Sequence, residues 1–147
     1  MSTDSTLLAT LVRRVHLAIR HHINEDLRAA GFADLTPAHM YVLQTPGPEG
    51  ARPTELALRT NMTKQAMNHL LGRLVQLGYL KRGPAADDGR GTVLHLTERG
   101  RDAQRIMLER AAELERVWAK KIGKRRLEDL RELLFALDAL DAAAITP

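Results

Sequence analysis

Cysteine is absent from the 147 residues of this chain. That absence excludes a disulfide framework, a thiol redox switch and any cysteine-ligated zinc site. Aromatic residues are scarce, at one Trp, two Tyr and two Phe, so Leu, Ala, Ile and Val must build the core. No apolar run approaches the length of a membrane span. The opening MSTDSTLLATLVRR lacks the basic stretch before an apolar run that marks a signal peptide. A cytoplasmic protein with no membrane partner is therefore expected. A phosphate loop, a nucleophile elbow, HExxH and paired carboxylates in a cleft-like context are all missing, so no enzyme and no cofactor are expected.

Six histidines are present, yet their spacing does not favour a metal. His21 and His22 are adjacent and point to different helix faces, whereas a chelating pair wants an i,i+4 step. His16 and Arg20 have that step, but arginine is no ligand. No metal site is expected.

What is present is ordinary in amount and uneven in place. Hydrophobic residues make up 44%, enough for a packed core, and the length suits one domain or one domain with a helical appendage. Residues 52–101 hold nine Lys/Arg against four Asp/Glu, a net of +5. Residues 1–51 hold four against five, and residues 102–147 nine against nine. The whole-chain charge of +4 thus sits in one segment. A polyanion would favour that distribution, because neutralising phosphates releases counterions.

Periodicity divides the chain into elements. Leu8, Leu11, Val12, Val15, Ile19, Ile23 and Leu27 recur at three- and four-residue steps and predict a helix from Leu7 to Ala30. Thr36-Pro37, an N-cap followed by proline, opens a second helix to about Gln44, and PGPEG at 46–50 forms a loop. Pro53 starts a third helix, through Thr60. Asn61-Met62 turns the chain, and Thr63 caps a fourth helix that ends near Leu77, before Gly78. Strands are predicted over Tyr79–Arg82 and Thr92–Leu96, joined by GPAADDGRG. A long helix follows to Ile122, with Ile106, Met107, Leu114, Val117 and Trp118 towards a core. Gly123 breaks it, and Leu127, Leu130, Leu133, Leu134, Leu137 and Leu140 mark a last helix.

A short helix, a tight turn, a longer amphipathic helix and a hairpin with a charged tip make the layout of a winged helix-turn-helix, and double-stranded DNA is the first partner it implies. On the fourth helix Met67, Leu70, Leu71, Leu74 and Leu77 form the face expected to be buried. Lys64, Gln65, Asn68, His69, Arg73 and Gln76 lie opposite. Gln and Asn can bond adenine bidentately and Arg can do the same to guanine, while Lys and Thr suit phosphates or single base edges. Arg90, between two glycines at the hairpin tip, could reach a narrow minor groove, with Asp88 bracing its guanidinium. The same tip would also serve as an ordinary solvated turn. Lys81 and Arg82 would touch phosphates or face water. The basic run Lys120, Lys121, Lys124, Arg125 and Arg126 suits a solvated helix junction.

With these elements in place, the chain resembles the MarR family of transcriptional regulators (multiple antibiotic resistance regulator type). The likeness runs from Leu7 to about Leu140. It is sharpest over LTPAHMYVL, TELALRTNMTKQAMNHLLGRLVQLGYLKR and DDGRGTVLHLTERG, including the wing signature Asp88-Gly89-Arg90 followed by Leu96-Thr97. The resemblance implies a mainly α fold: a winged helix-turn-helix lobe over 31–101, and terminal helices over 1–30 and 102–147 that form a dimerisation region. It implies a homodimer on a pseudo-palindromic operator, most often a repressor. It places Thr63, Lys64, Gln65, Asn68, His69 and Arg73 on DNA, with Arg90 at the wing tip. It also implies a small effector, aromatic or anionic, in a cleft between dimer helices and winged lobe, for which His16, Arg20, His39 and Tyr41 are the candidates. A winged helix retained as a protein-interaction module is the alternative, but a chain of that kind should lose the basic residues that the reading helix and wing tip keep here.

Overall fold

The repeat of apolar residues from Leu8 onward winds 22 residues into α1 (Leu8–Ala29). The structure, a computed structural model, describes residues 7–44, 50–84 and 91–144, with side chains to residue 140. Five further helices follow: α2 (Pro37–Leu43), α3 (Pro53–Arg59), α4 (Lys64–Gln76), α5 (Glu98–Ile122) and α6 (Lys124–Ala144). One antiparallel pair, β1 (Leu80–Pro84) and β2 (Thr92–Leu96), completes the set. The fold is mainly helical, as the periodicity implies.

Caps fix the boundaries. Thr63 in extended backbone accepts the Ala66 N–H at 3.2 Å and so opens α4. Its far end closes with a Schellman arrangement, in which the Tyr79 N–H reaches Leu74 O and the Gly78 N–H reaches Val75 O. Gly78 holds φ at +80° there, a value that an L side chain disfavours. This cap also explains the one shifted strand. Tyr79 was expected to begin β1, but its N–H is committed to Leu74, so pairing starts at Leu80 opposite Leu96 and runs to Pro84 opposite Thr92. A third short segment joins the sheet at Ala51, which exchanges both backbone hydrogen bonds with Leu94.

Residues 1–110 form one compact unit and residues 111–147 another. The core of the first unit gathers Ile23 and Leu27 of α1, Met40, Val42 and Leu43 of α2, Leu56 of α3, Met67, Leu71 and Leu74 of α4, and Ala103 and Met107 of α5. Tyr79, Leu80, Leu94 and Leu96 close it from the wing side. Gly100, in the first turn of α5, lies against the Tyr79 carbonyl so closely that a Cβ would stand 2.1 Å from that oxygen. No side chain fits there without displacing backbone.

Several apolar positions on α1, α4, α5 and α6 are not buried. On α1 only Ile23 and Leu27 are buried, with Ile19 packed against them, while Leu8, Leu11, Val12 and Val15 are 44–62% exposed. On α4 the covered face is narrower than the pattern implies, with Leu70 and Leu77 half-buried. On α5 Met107 is buried and Ile106, Leu114 and Trp118 are half-buried, but Val117 is 43% exposed. On α6 Leu130, Leu133, Leu134, Phe135, Leu137 and Leu140 are 45–69% exposed. Among the described residues these stripes are left uncovered.

Candidate nucleic-acid interface and ligand cleft

Sequence dictates which side of α4 meets water. Met67, Leu71 and Leu74, at 0% exposure, pin one side to the core. A helix repeats every 3.6 residues, so the opposite side must carry Lys64, Gln65, Asn68, His69, Arg73 and Gln76, and all six are exposed. Thr63 is exposed too, with its hydroxyl engaged in the cap. Arg73 donates from Nη1 to Gln76 Oε1 at 3.3 Å, which holds the guanidinium along the helix surface.

The turn before α4 is built for close helix packing. Asn61 adopts φ +51°, which asparagine tolerates better than most residues. The Met62 N–H reaches Ala57 O, and the Thr60 hydroxyl donates to Leu56 O at 2.7 Å. Leu56 and Ala57 are buried beneath. In the wing, Lys81 and Arg82 are both exposed on β1. Asp88 and Arg90, expected at the wing tip, lie outside the described residues.

Two networks escaped sequence reasoning. Thr97, beside the signature Leu96, is a junction: its hydroxyl donates to Gly78 O at 2.5 Å and accepts the Gly100 N–H at 3.0 Å. It caps the start of α5 and ties that start to the end of α4. The second joins Asp34, Tyr79 and Arg99. The Tyr79 hydroxyl donates to Asp34 Oδ1 at 2.5 Å, and Arg99 Nη2 donates to Asp34 Oδ2 at 3.1 Å. The Arg99 guanidinium also lies 4.6 Å from the Tyr79 ring centroid and 5.5 Å from that of Phe32. Burial, then the bond to Asp34, push the Tyr79 phenol up to about 12. Leu-Thr adjacency and a lone Tyr-Leu step were the signals, but neither reveals long-range partners.

A cleft of about 410 Å³ opens between α1 and α2 within the first unit. His16, Arg20 and Tyr41 line it together with Ile19, Ile23 and Met62. A smaller cavity of about 190 Å³, lined in part by His21 and Asn24, shares Arg20 with it. Arg20 Nε is buried with no hydrogen-bond partner among the described residues. His39 is not among the lining residues. Its ring is buried in the cap of α2, where Nδ1 accepts the Thr36 N–H. Among the described residues no three His, Asp or Glu side chains converge to hold a metal ion. No described helix is long and apolar enough to cross a membrane.

Residues 33–91, from the loop before α2 to the wing, match the model of the MarR family. No curated protein sequence matches the chain significantly. Solved structures share the fold. The reduced form of MarR from E. coli is 24% identical, with a TM-score of 0.70, over 92% of this chain and 98% of that one. CouR from Rhodococcus jostii RHA1, solved bound to p-coumaroyl-CoA, is 19% identical with a TM-score of 0.68, over 93% and 95%. A transcriptional regulator from Thermotoga maritima is 24% identical with a TM-score of 0.58, over 95% and 97%. The matched segment contains the whole helix-turn-helix, so residues 33–91 are similar to the MarR family, and the chain as a whole shares the winged-helix fold of these solved structures.

Proposed function

We propose that the protein is a sequence-specific DNA-binding repressor that acts as a homodimer on a pseudo-palindromic operator and responds to a small ligand. The exposed polar face of α4, set on a fully buried opposite side, carries the reading. Gln65, Asn68, His69 and Arg73 supply base-edge contacts, and Thr63, Lys64, Lys81 and Arg82 supply phosphate contacts. Asp88 and Arg90, outside the described residues, are assigned to the same DNA contacts. Regulators of this family bind DNA, dimerise and bind small ligands. The uncovered apolar stripes of α1 and α6 fit a two-fold assembly through residues 1–30 and 102–147, with the winged lobe over 31–101 between them. Two reading helices would then fall about 34 Å apart, one turn of duplex.

The cleft at Arg20 supports the ligand reading. An unpartnered buried guanidinium nitrogen costs free energy until an acceptor reaches it. An aromatic carboxylate or phenolate would place its ring against Ile19, Ile23 and Met62 and its charge on Arg20, beside His16 and Tyr41. Such a ligand acts by binding more tightly to a dimer whose reading helices no longer match successive major grooves.

Fluorescence anisotropy with duplex from upstream of the protein's own gene, against scrambled duplex at several salt concentrations, tests this reading. Tight selective binding with a steep salt slope is expected. Asn68→Ala and Arg73→Ala should each cost about 1–3 kcal/mol on the selected duplex, while Lys81→Ala should weaken both duplexes alike. Absence of binding at low salt would refute it.

A further inference from the structure

His39 stands at the third position of α2, where a glutamate or glutamine usually reaches back to the N-cap. Here an imidazole does so. Its Nδ1 accepts the Thr36 N–H at 3.2 Å, and the Thr36 hydroxyl accepts the His39 N–H at 3.3 Å. A ring nitrogen that accepts a hydrogen bond carries no proton, so this cap requires neutral histidine with its proton on Nε2. At 6% exposure His39 is the one buried polar or charged residue among those described.

The surroundings oppose a charge on that ring. Arg73 and His69 face it from α4, and Asp34 faces it from the loop before α2. Burial is the main influence holding the His39 ring below its ordinary 6.5, Arg73 adds to it, Asp34 offsets part, and His69 adds to it again. The ring also sits in the first turn of α2, at the positive end of the helix, where a cation is disfavoured.

We propose that neutral His39 is a positioning residue for the reading helix: its cap sets α2 against α4, and a proton taken up at Nδ1 removes the cap and weakens DNA binding. The proposal rests on the reading of α4 as the DNA-reading helix. The proton comes from solvent and goes to Nδ1, so the Thr36 N–H loses its acceptor. The imidazolium then faces Arg73 and His69, both on the surface that would meet DNA. Because burial holds the ring below its ordinary 6.5, the cap is intact at and above that pH and is lost as pH falls through the lowered value of the folded ring.

Glutamine provides the control, since it can accept the Thr36 N–H without titrating. Anisotropy on the upstream duplex at constant salt compares wild type with His39→Gln and His39→Ala between about pH 7.5 and 5.5. His39→Gln should match wild type at the upper pH and hold its affinity on acidification about fivefold better than wild type. His39→Ala should bind more weakly throughout. His69 is present in all three proteins and cancels in the comparison. The melting temperature of the DNA-free protein over the same range judges the cap separately, so failure to bind the duplex would not mask it. Wild type should lose stability on acidification relative to His39→Gln. Should His39→Gln not fold, the wild-type α4 amides followed by NMR should shift with the same midpoint as the His39 ring. Superimposable pH profiles for wild type and His39→Gln, or α4 amides indifferent to the ring, would overturn the proposal.

Discussion

Arg110 of α5 grips Asp26 of α1 through both carboxylate oxygens, with Nε on Oδ2 and Nη2 on Oδ1 at 2.5 Å each. The two residues lie 84 positions apart in sequence. They fasten the last turn of α1 to α5 just beyond Met107, where the hydrophobic core of the first unit runs out. Their side chains are 27% and 33% exposed, covered enough for the pair to outlast salt screening.

Loss of that pair should therefore be felt. Asp26→Asn should destabilise the protein by about 1–2 kcal/mol in urea unfolding near neutral pH. The hydrogen bond from Arg110 is the main reason the Asp26 carboxyl is held below its ordinary 3.8, against a smaller opposing push from burial. A depressed carboxyl stabilises the fold above its ordinary value and gives up that stabilisation as pH falls through the folded value. The difference between wild type and Asp26→Asn should thus be constant above about pH 5 and shrink below about pH 4. A difference that does not vary with pH would leave the pair without this role.

Tyr79 titrates in the opposite sense. Its phenol is fully buried, bonded to Asp34 and pushed up to about 12. The neutral phenol is the form that fits, so its stabilisation is complete below about pH 10 and is lost as pH rises from there through about 12. Tyr79→Phe should cost about 0.5–1.5 kcal/mol at neutral pH, one hydrogen bond, since Asp34 keeps Arg99 as a donor, and should remove the phenolate absorbance that appears near pH 12. Phenolate absorbance unchanged in the variant would assign that titration elsewhere.

These two clamps mark where sequence reading stopped. Element order was legible because helix caps and breakers are local: Thr36, Thr63, Gly78 and Gly123 each act within a few residues of their own position. The faces of α4 were legible for the same reason. Asp26 with Arg110, and Asp34 with Tyr79 and Arg99, were not, because nothing in periodicity pairs residues across many tens of positions. His39 misled for a related reason. A histidine beside a tyrosine reads as ligand chemistry, but at the third position of a short helix its ring serves the cap. The stripe of α1 is legible as a face that needs cover, but a 3.6-residue repeat does not say which chain provides it.

Gly72 interrupts α4, and nothing lies within 4 Å of where its Cβ would stand. No close backbone approach explains it. Gly72→Ala should then stabilise the protein by about 0.5–1 kcal/mol, the helix-propensity difference together with the smaller entropy of the unfolded chain. Thermal unfolding measures this directly. A loss of stability would mean that α4 needs local freedom that the packing does not reveal.

Arg20 lies at the junction of the two cavities. If its unpartnered Nε is the anchor for an anionic ligand, Arg20→Met should keep the apolar lining and abolish the charge-assisted bond. Calorimetry with a panel of aromatic carboxylates should show binding to wild type weakened about tenfold or more in the variant, against no change for the corresponding neutral amides. Equal loss for acids and amides would make Arg20 a wall of the cleft and not its anion site.

The exposed stripe of α1 yields the last test. Leu8, Leu11, Val12 and Val15 lie on consecutive turns, and each is 44–62% exposed in the single chain. Leaving such a row in water forfeits about 25 cal/mol for every Å² that a partner could cover. Isologous packing against a second copy would bury the row twice over, since each copy presents the same face. A charge placed on the row, Val15→Glu, would then be buried once in each copy. Sedimentation equilibrium should find wild type as a dimer and Val15→Glu with a dimer dissociation constant raised about tenfold or more. The helical content of the variant should stay unchanged, because Val15 contributes nothing to the core of its own chain. The same substitution should weaken operator binding in proportion to the monomer it creates, since one reading helix reaches only half of a pseudo-palindrome. A variant that remains dimeric at wild-type affinity would move the interface away from this stripe.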